Sequence, residues 1–155
     1  MEHPLHRRLR PLRSETLSAP LLIRTGLSFI SHLTGHHDFE EAYIFPMLAK
    51  RMPAFRHARS TVSSASSSLS PSSEGKEGFA IQQHKGIHAG LVKLEAYLRE
   101  CQDGRREMRR EEVKGIMDGF GGVLWVHLAE EVRELGAERM REVGWTLDEM
   151  RRMPG

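Results

Sequence analysis

The chain carries nine histidines and one cysteine, and six of its histidines and glutamates stand where a helical pattern calls for apolar residues. Between residues 23 and 48, Ile23, Leu27, Ile30, Thr34, His37, Glu41, Ile44 and Leu48 recur at alternating four- and three-residue steps. An imidazole and a carboxylate therefore occupy consecutive core positions, one turn apart. Residues 81–91 repeat the anomaly with Ile81, His84, His88 and Leu91, and residues 120–135 with Phe120, Leu124, His127, Glu131 and Leu135. At i,i+4 spacing both members of each pair share one helix face. A single pair is accounted for by a His–Glu hydrogen bond at a half-exposed helix edge. Three pairs, each on an apolar stripe and near the middle of its helix, need a shared compensating partner, because a buried carboxylate without one shifts its pKa until it is neutral. A metal ion meets that need. Neutral imidazole with carboxylate and no thiolate suits iron, manganese or zinc, two carboxylates could bridge two metals, and iron is the expected occupant. Cys101, alone in the chain, offers neither an intramolecular disulfide nor a thiolate cage.

Helices must position these residues, since no segment sustains a period of two while several long ones repeat at three and four. The expected class is all-α. One helix is predicted from the Ala19-Pro20 boundary to about Arg51, with Pro53 just beyond it, and another from about Phe79 to Cys101, ended by Asp103-Gly104. A further one runs from about Arg106 to Val143 with Gly144 as its C-cap. Gly119, Gly121 and Gly122 should bend it or introduce a π-type irregularity, since each glycine costs about 1 kcal/mol in a helix interior. Ahead of these, Leu5 to Leu17 could form a short or irregular first helix, with Pro11 disturbing its interior. Four helices of this kind predict an antiparallel up-down four-helix bundle packed near ~20°. Nine serines between Ser60 and Ser73, together with Pro71, mark a solvated, disordered insertion at 56–77 within a single domain of residues 1–145. Residues 146–155 are expected to be a C-terminal tail.

At 155 residues the chain suffices for one domain with a true core. Apolar residues make up 39% and charged ones 28%. No apolar run approaches the ~20 residues of a membrane span, and the N-terminus lacks the apolar stretch of a secretory signal. The expectation is a cytoplasmic protein without a membrane partner, an organellar transit segment being the competing reading of the Arg-rich start (Arg7, Arg8, Arg10, Arg13). Those arginines dominate the small net charge of +2 and carry no interleaved aromatics, which argues against a nucleic-acid partner. His32 and His57 read as solvated, and His36 points about 100° around the helix from His37. Phe45, Tyr43, Tyr97 and Trp125 read as packing residues, and Gly86 and Gly90 as points of close helix approach.

The segments His36-His37-Asp38-Phe39-Glu40-Glu41 with Ile44-Phe45-Pro46, Gln83-His84-Lys85-Gly86-Ile87-His88, and His127-Leu128-Ala129-Glu130-Glu131 together resemble the hemerythrin-like, or HHE cation-binding, domain, particularly in its fungal members. The likeness spans residues 22 to 140, and the His-x-x-x-Glu order differs from the Glu-x-x-His of ferritin-like di-iron bundles. It implies a four-helix bundle around a non-haem di-iron centre held by His37 and Glu41, His84 and His88, and His127 and Glu131, with Glu41 and Glu131 as bridging carboxylates. The family also draws a histidine from the first helix, in a His-Asn context that this chain lacks. His6 is the candidate there, one residue from the expected position near Leu5. A labile or mononuclear site stays open on that ground.

The function implied is reversible binding of dioxygen or a related small oxidant, for oxygen or iron handling or for sensing. A di-iron oxidase or peroxidase would use the same centre with a donor residue beside it, Tyr43 or Tyr97 being the available ones. A degenerate bundle acting through protein contacts is the third reading, and enzymatic turnover is the less favoured.

Overall fold

The computed structural model describes residues 18–57 and 77–154. Ser18 is extended and Pro20, whose ring presets a helical φ, lies in the first turn of α1, Ala19–Phe39. α1 runs without a break into a π turn, Glu40–Ile44, and then α2, Phe45–Leu48. The cause of the π turn is Pro46. It cannot donate to the turn before it and its ring crowds that turn, and the helix widens so that the Phe45 N–H donates to the Glu40 carbonyl, five residues back. A 3₁₀ turn, Pro53–Phe55, follows. α3, Phe79–Gln102, begins against that turn, where Gly78 is obligatory because a Cβ there would collide with the Ala54 carbonyl. α4, Arg110–Glu134, returns along α3 after a short link in which Gly104 adopts φ 71°.

α1 and α4 both run antiparallel to α3. Gly26 faces Leu98 while His37 stacks on His84, and the Arg109 N–H donates to the Tyr97 hydroxyl at 2.8 Å while His84 meets His127. All the regular elements among the described residues are helical, and the packing of α1, α3 and α4 matches an antiparallel four-helix bundle fold. The first helix expected at 5–17 lies outside the described residues, as do residues 58–76 of the Ser-rich insertion. Gly90 marks a close approach of α3 to α4, since a Cβ there would overlap the Phe120 side chain.

Two apolar clusters flank the level of the histidines. One joins Ile23 and Ile30 to Ile87, Leu91, Leu94, Leu98, Val113 and Phe120. The other gathers Phe45, Leu48, Met52, Phe55, Ala80 and Ile81 with Met140 of α5, Ala137–Glu142. Beyond it, the segment expected as a tail contains α6, Leu147–Arg151, whose Met150 packs on this second cluster together with Met153 just past the helix. Thr146 and Glu149 form a reciprocal capping box there. Arg51 secures the segment with a hydrogen bond to the Gly144 carbonyl at 2.7 Å, an ion pair to Glu149 at 2.8 Å, and its guanidinium over the Trp145 ring.

Three local expectations differ from the structure. α4 passes as a continuous α-helix, without a π turn, through Gly119, Gly121 and Gly122, and a Cβ built at any of them would meet nothing within 4 Å beyond the helix's own backbone and chain neighbours. The fourth helix stops at Glu134 instead of Val143, because Gly136 turns extended and caps α5. Tyr43 and Trp125, expected to pack, are exposed, whereas Phe45 and Tyr97 are buried.

Candidate metal centre

The π turn decides which acidic side chains reach the bundle interior. In an undisturbed helix the stripe through Ile23, Ile30 and His37 continues to Glu41 and Ile44. The widened turn shifts the phase, so Glu40 and Phe45 are buried while Glu41 and Ile44 are half-buried. α3 presents His84 at 2% exposure and α4 presents His127 at 1%, each less exposed than His37 at 6%. His37, Glu40, His84 and His127 offer ligand atoms that all lie within 4.8 Å of one another, and so do His36, Glu40 and Glu131. This buried His/Glu cluster is capable of coordinating a metal ion.

The rings are held from outside the cluster. His84 Nδ1 lies 2.9 Å from Glu41 Oε1, and His127 Nδ1 lies 3.2 Å from Gln83 Oε1. The Glu41 carboxylate can only accept, which puts the ring proton of His84 on Nδ1 and leaves its Nε2 as a lone pair aimed inward. The two Nε2 atoms face each other at 3.2 Å. Glu40 Oε2 stands 3.5 Å from His84 Nε2, and Glu131 Oε2 3.5 Å from His127 Nε2. Three further atoms here are buried without a hydrogen bond: His37 Nε2, Glu40 Oε2 and Glu131 Oε1. The His37 ring stacks on His84 at 3.9 Å between centroids, and the Phe45 ring lies tilted against His84 at 5.0 Å.

The electrostatics follow from this crowding. Burial first, and then the neighbouring imidazoles, push His37 down to about 3 and His84 down to about 3. His127 is lowered by burial as well. Burial and the neighbouring Glu131 carboxylate push Glu40 up to about 8, and burial raises Glu131. Near neutrality the metal-free cluster thus holds neutral imidazoles and a carboxyl pair that retains a proton. That proton takes the place of the positive charge for which the donors converge.

The structure brings together four of the residues singled out in the sequence: His37, His84, His127 and Glu131. Glu41 is half-buried and engages the outer nitrogen of His84. His88 is exposed and lines, with Thr34, His37, Asp38, Glu41, His84 and Lys85, a cleft of about 210 Å³ that opens onto the cluster. His6 lies outside the described residues. His36, expected to point away, is mostly exposed yet reaches Glu40 Oε1 at 3.3 Å. Sequence reasoning missed Glu40, whose signal was Pro46 downstream, and it missed Gln83 and Glu130, which look like residues of a solvated face. Searches against protein-family models, curated proteins and solved structures found no match to this chain. The bundle and its buried His/Glu cluster are consistent with a hemerythrin-like fold.

Proposed function

We propose that this chain is a hemerythrin-like, non-haem iron protein that holds two iron ions and binds dioxygen or a related small oxidant, in oxygen or iron handling or in sensing. The supporting observation is the convergence of bare acceptors: His84 and His127 present Nε2 to one another at 3.2 Å, with carboxylate oxygens 3.5 Å from each. Only a cation or a proton makes that arrangement favourable at this burial. His37, His84 and His127 would be the imidazole ligands. Glu40, whose Oε2 faces His84 while its Oε1 faces His36, and Glu131 would supply the carboxylates. Glu41 and His88, on the cleft wall, are the further candidates for a second metal position, and His6 for a seventh ligand.

Iron held there would supply reversible electron transfer to the oxidant. The chain's own part is to orient, enclose and admit. Glu41 and Gln83 would fix the two rings, and the fully buried Phe45 ring against His84 would exclude water there. A cleft of about 210 Å³ falls below the ~300–1,000 Å³ of sites for drug-sized ligands, so it suits a molecule of a few atoms. The tyrosines needed for the oxidase reading stand elsewhere: Tyr43 is exposed against Phe39, and Tyr97 bonds to the backbone of Arg109.

Elemental analysis of the purified chain, with optical spectra under oxygen and without it, tests the proposal. Roughly one to two iron atoms per chain and an oxygen-dependent absorption support it. A protein that takes up no iron contradicts it.

A further inference from the structure

The two inward-facing imidazoles are held in different ways. His84 Nδ1 meets a carboxylate, Glu41, which can only accept. His127 Nδ1 meets the amide of Gln83, and an amide can turn either its oxygen or its nitrogen to a partner. Contact with Gln83 therefore leaves the ring's tautomer undetermined. Glu130 removes the ambiguity. Its Oε2 accepts from Gln83 Nε2, a carboxylate cannot donate in return, and the amide is left with its oxygen toward His127.

We propose that Gln83 and Glu130 act as a positioning pair that keeps the ring proton of His127 on Nδ1 and thereby leaves its Nε2 free to bind a metal. This rests on the reading that His127 is a ligand. A neutral imidazole carries one ring proton, and an amide oxygen at 3.2 Å from Nδ1 holds it there. With the amide reversed, its N–H would donate to Nδ1, the ring proton would move to Nε2, and an N–H would point at His84 Nε2, only 3.2 Å away. The nitrogen aimed at the cluster would then be blocked. Partners of this kind fix both ring orientation and tautomer in metal sites. Glu130 lies next to Glu131 on α4, and Gln83 next to His84 on α3, so each helix supplies one inward group and the group that steadies its neighbour.

The test reads the tautomer first, in the metal-free full chain, by long-range ¹H–¹⁵N correlation spectra of the histidine rings, and then zinc affinity by competition with a chelating dye. The wild-type chain should show His127 with its proton on Nδ1. Glu130→Lys places a donor beside Gln83, reverses the amide, moves the ring proton to Nε2 and weakens zinc binding by roughly 10- to 100-fold. Adding Gln83→Glu to Glu130→Lys returns an acceptor to Nδ1 and should restore both the tautomer and most of the affinity. A wild-type tautomer in Glu130→Lys, or a double variant that is fully helical yet fails to restore it, overturns the proposal. Where Glu130→Lys does not fold, Gln83→Leu serves: mixed tautomers support the pair and an unchanged Nδ1–H contradicts it. The tautomer is read without metal, so a wild-type chain with the Nδ1–H form that binds no zinc would defeat the metal reading and leave the positioning pair intact.

Discussion

Around Leu91, Leu94 and Leu98 the three long helices meet through apolar side chains, with Ile23 and Ile30 from α1 and Val113 and Phe120 from α4. About two to four turns away along α3, around His84, the same helices meet through imidazoles and carboxylates, three of whose buried atoms have no hydrogen bond. The first level gains stability from burial, at roughly 25 cal/mol for each Å² of apolar surface removed from water. The second gives stability up until a cation arrives. A bundle that devotes one end of α3 to packing can hold unfavourable chemistry at the other in a prearranged geometry.

Substitutions should separate the two levels. The largest effect belongs to the apolar one: Leu94→Ala should cost about 2–5 kcal/mol by removing buried methyl groups and leaving a cavity. Chemical denaturation should show that loss with and without metal, at unchanged metal stoichiometry. Gly90→Ala comes next. The new Cβ overlaps Phe120, and the strain should cost about 1–3 kcal/mol, again irrespective of metal. At the polar level the sign turns. His84→Leu should leave the metal-free chain within about 1 kcal/mol of wild type, or above it, because an apolar group replaces an acceptor facing other acceptors. The same change should abolish metal binding. A loss from His84→Leu as large as that from Leu94→Ala would erase the distinction.

A smaller and more diagnostic effect is pH dependence of the metal-free chain. The imidazoles of His37 and His84 are pushed down to about 3 from an ordinary 6.5, so below about 6.5 the unfolded state binds more protons and stability falls with falling pH. Glu40 is pushed up to about 8 from an ordinary 4.5. Above 4.5 the folded state holds the proton that the unfolded state has lost, so stability declines as pH rises toward 8. Thermal melts should therefore peak near pH 6.5, where the two imidazole contributions, rising with pH, give way to the falling carboxyl one, and metal should flatten the upper limb by displacing the Glu40 proton. A metal-free chain whose stability climbs from pH 6.5 to 8 would contradict this assignment. The smallest effect is expected from Arg51→Ala, which releases Glu149 and Trp145 at the surface. It should lower the melting temperature slightly and leave metal binding alone.

The three polar pairs and the helices that carry them were legible because a stripe of apolar residues makes every interruption visible. His37, His84, His127 and Glu131 interrupt it in phase, and the structure brings them together. Glu40 was illegible by the same rule, since a count at 3.6 residues per turn loses phase where a π turn adds a residue. Only the demand of Pro46 on the turn before it could have warned of the shift. Gln83 and Glu130 are half-buried and act through side-chain orientation, which has no period. The Thr146-x-x-Glu149 box of α6 was in plain view and is a recognised helix start. The cluster it packs on draws Phe45 and Leu48 from about a hundred residues earlier in the chain, a separation that local pattern does not span.

The most direct test is an anaerobic Fe(II) titration of the metal-free chain, run beside His84→Ala and His127→Ala. The account predicts saturable uptake at roughly one to two iron ions per wild-type chain, with most of it lost in either variant. Iron uptake that does not saturate, or that is the same in all three proteins, would contradict it.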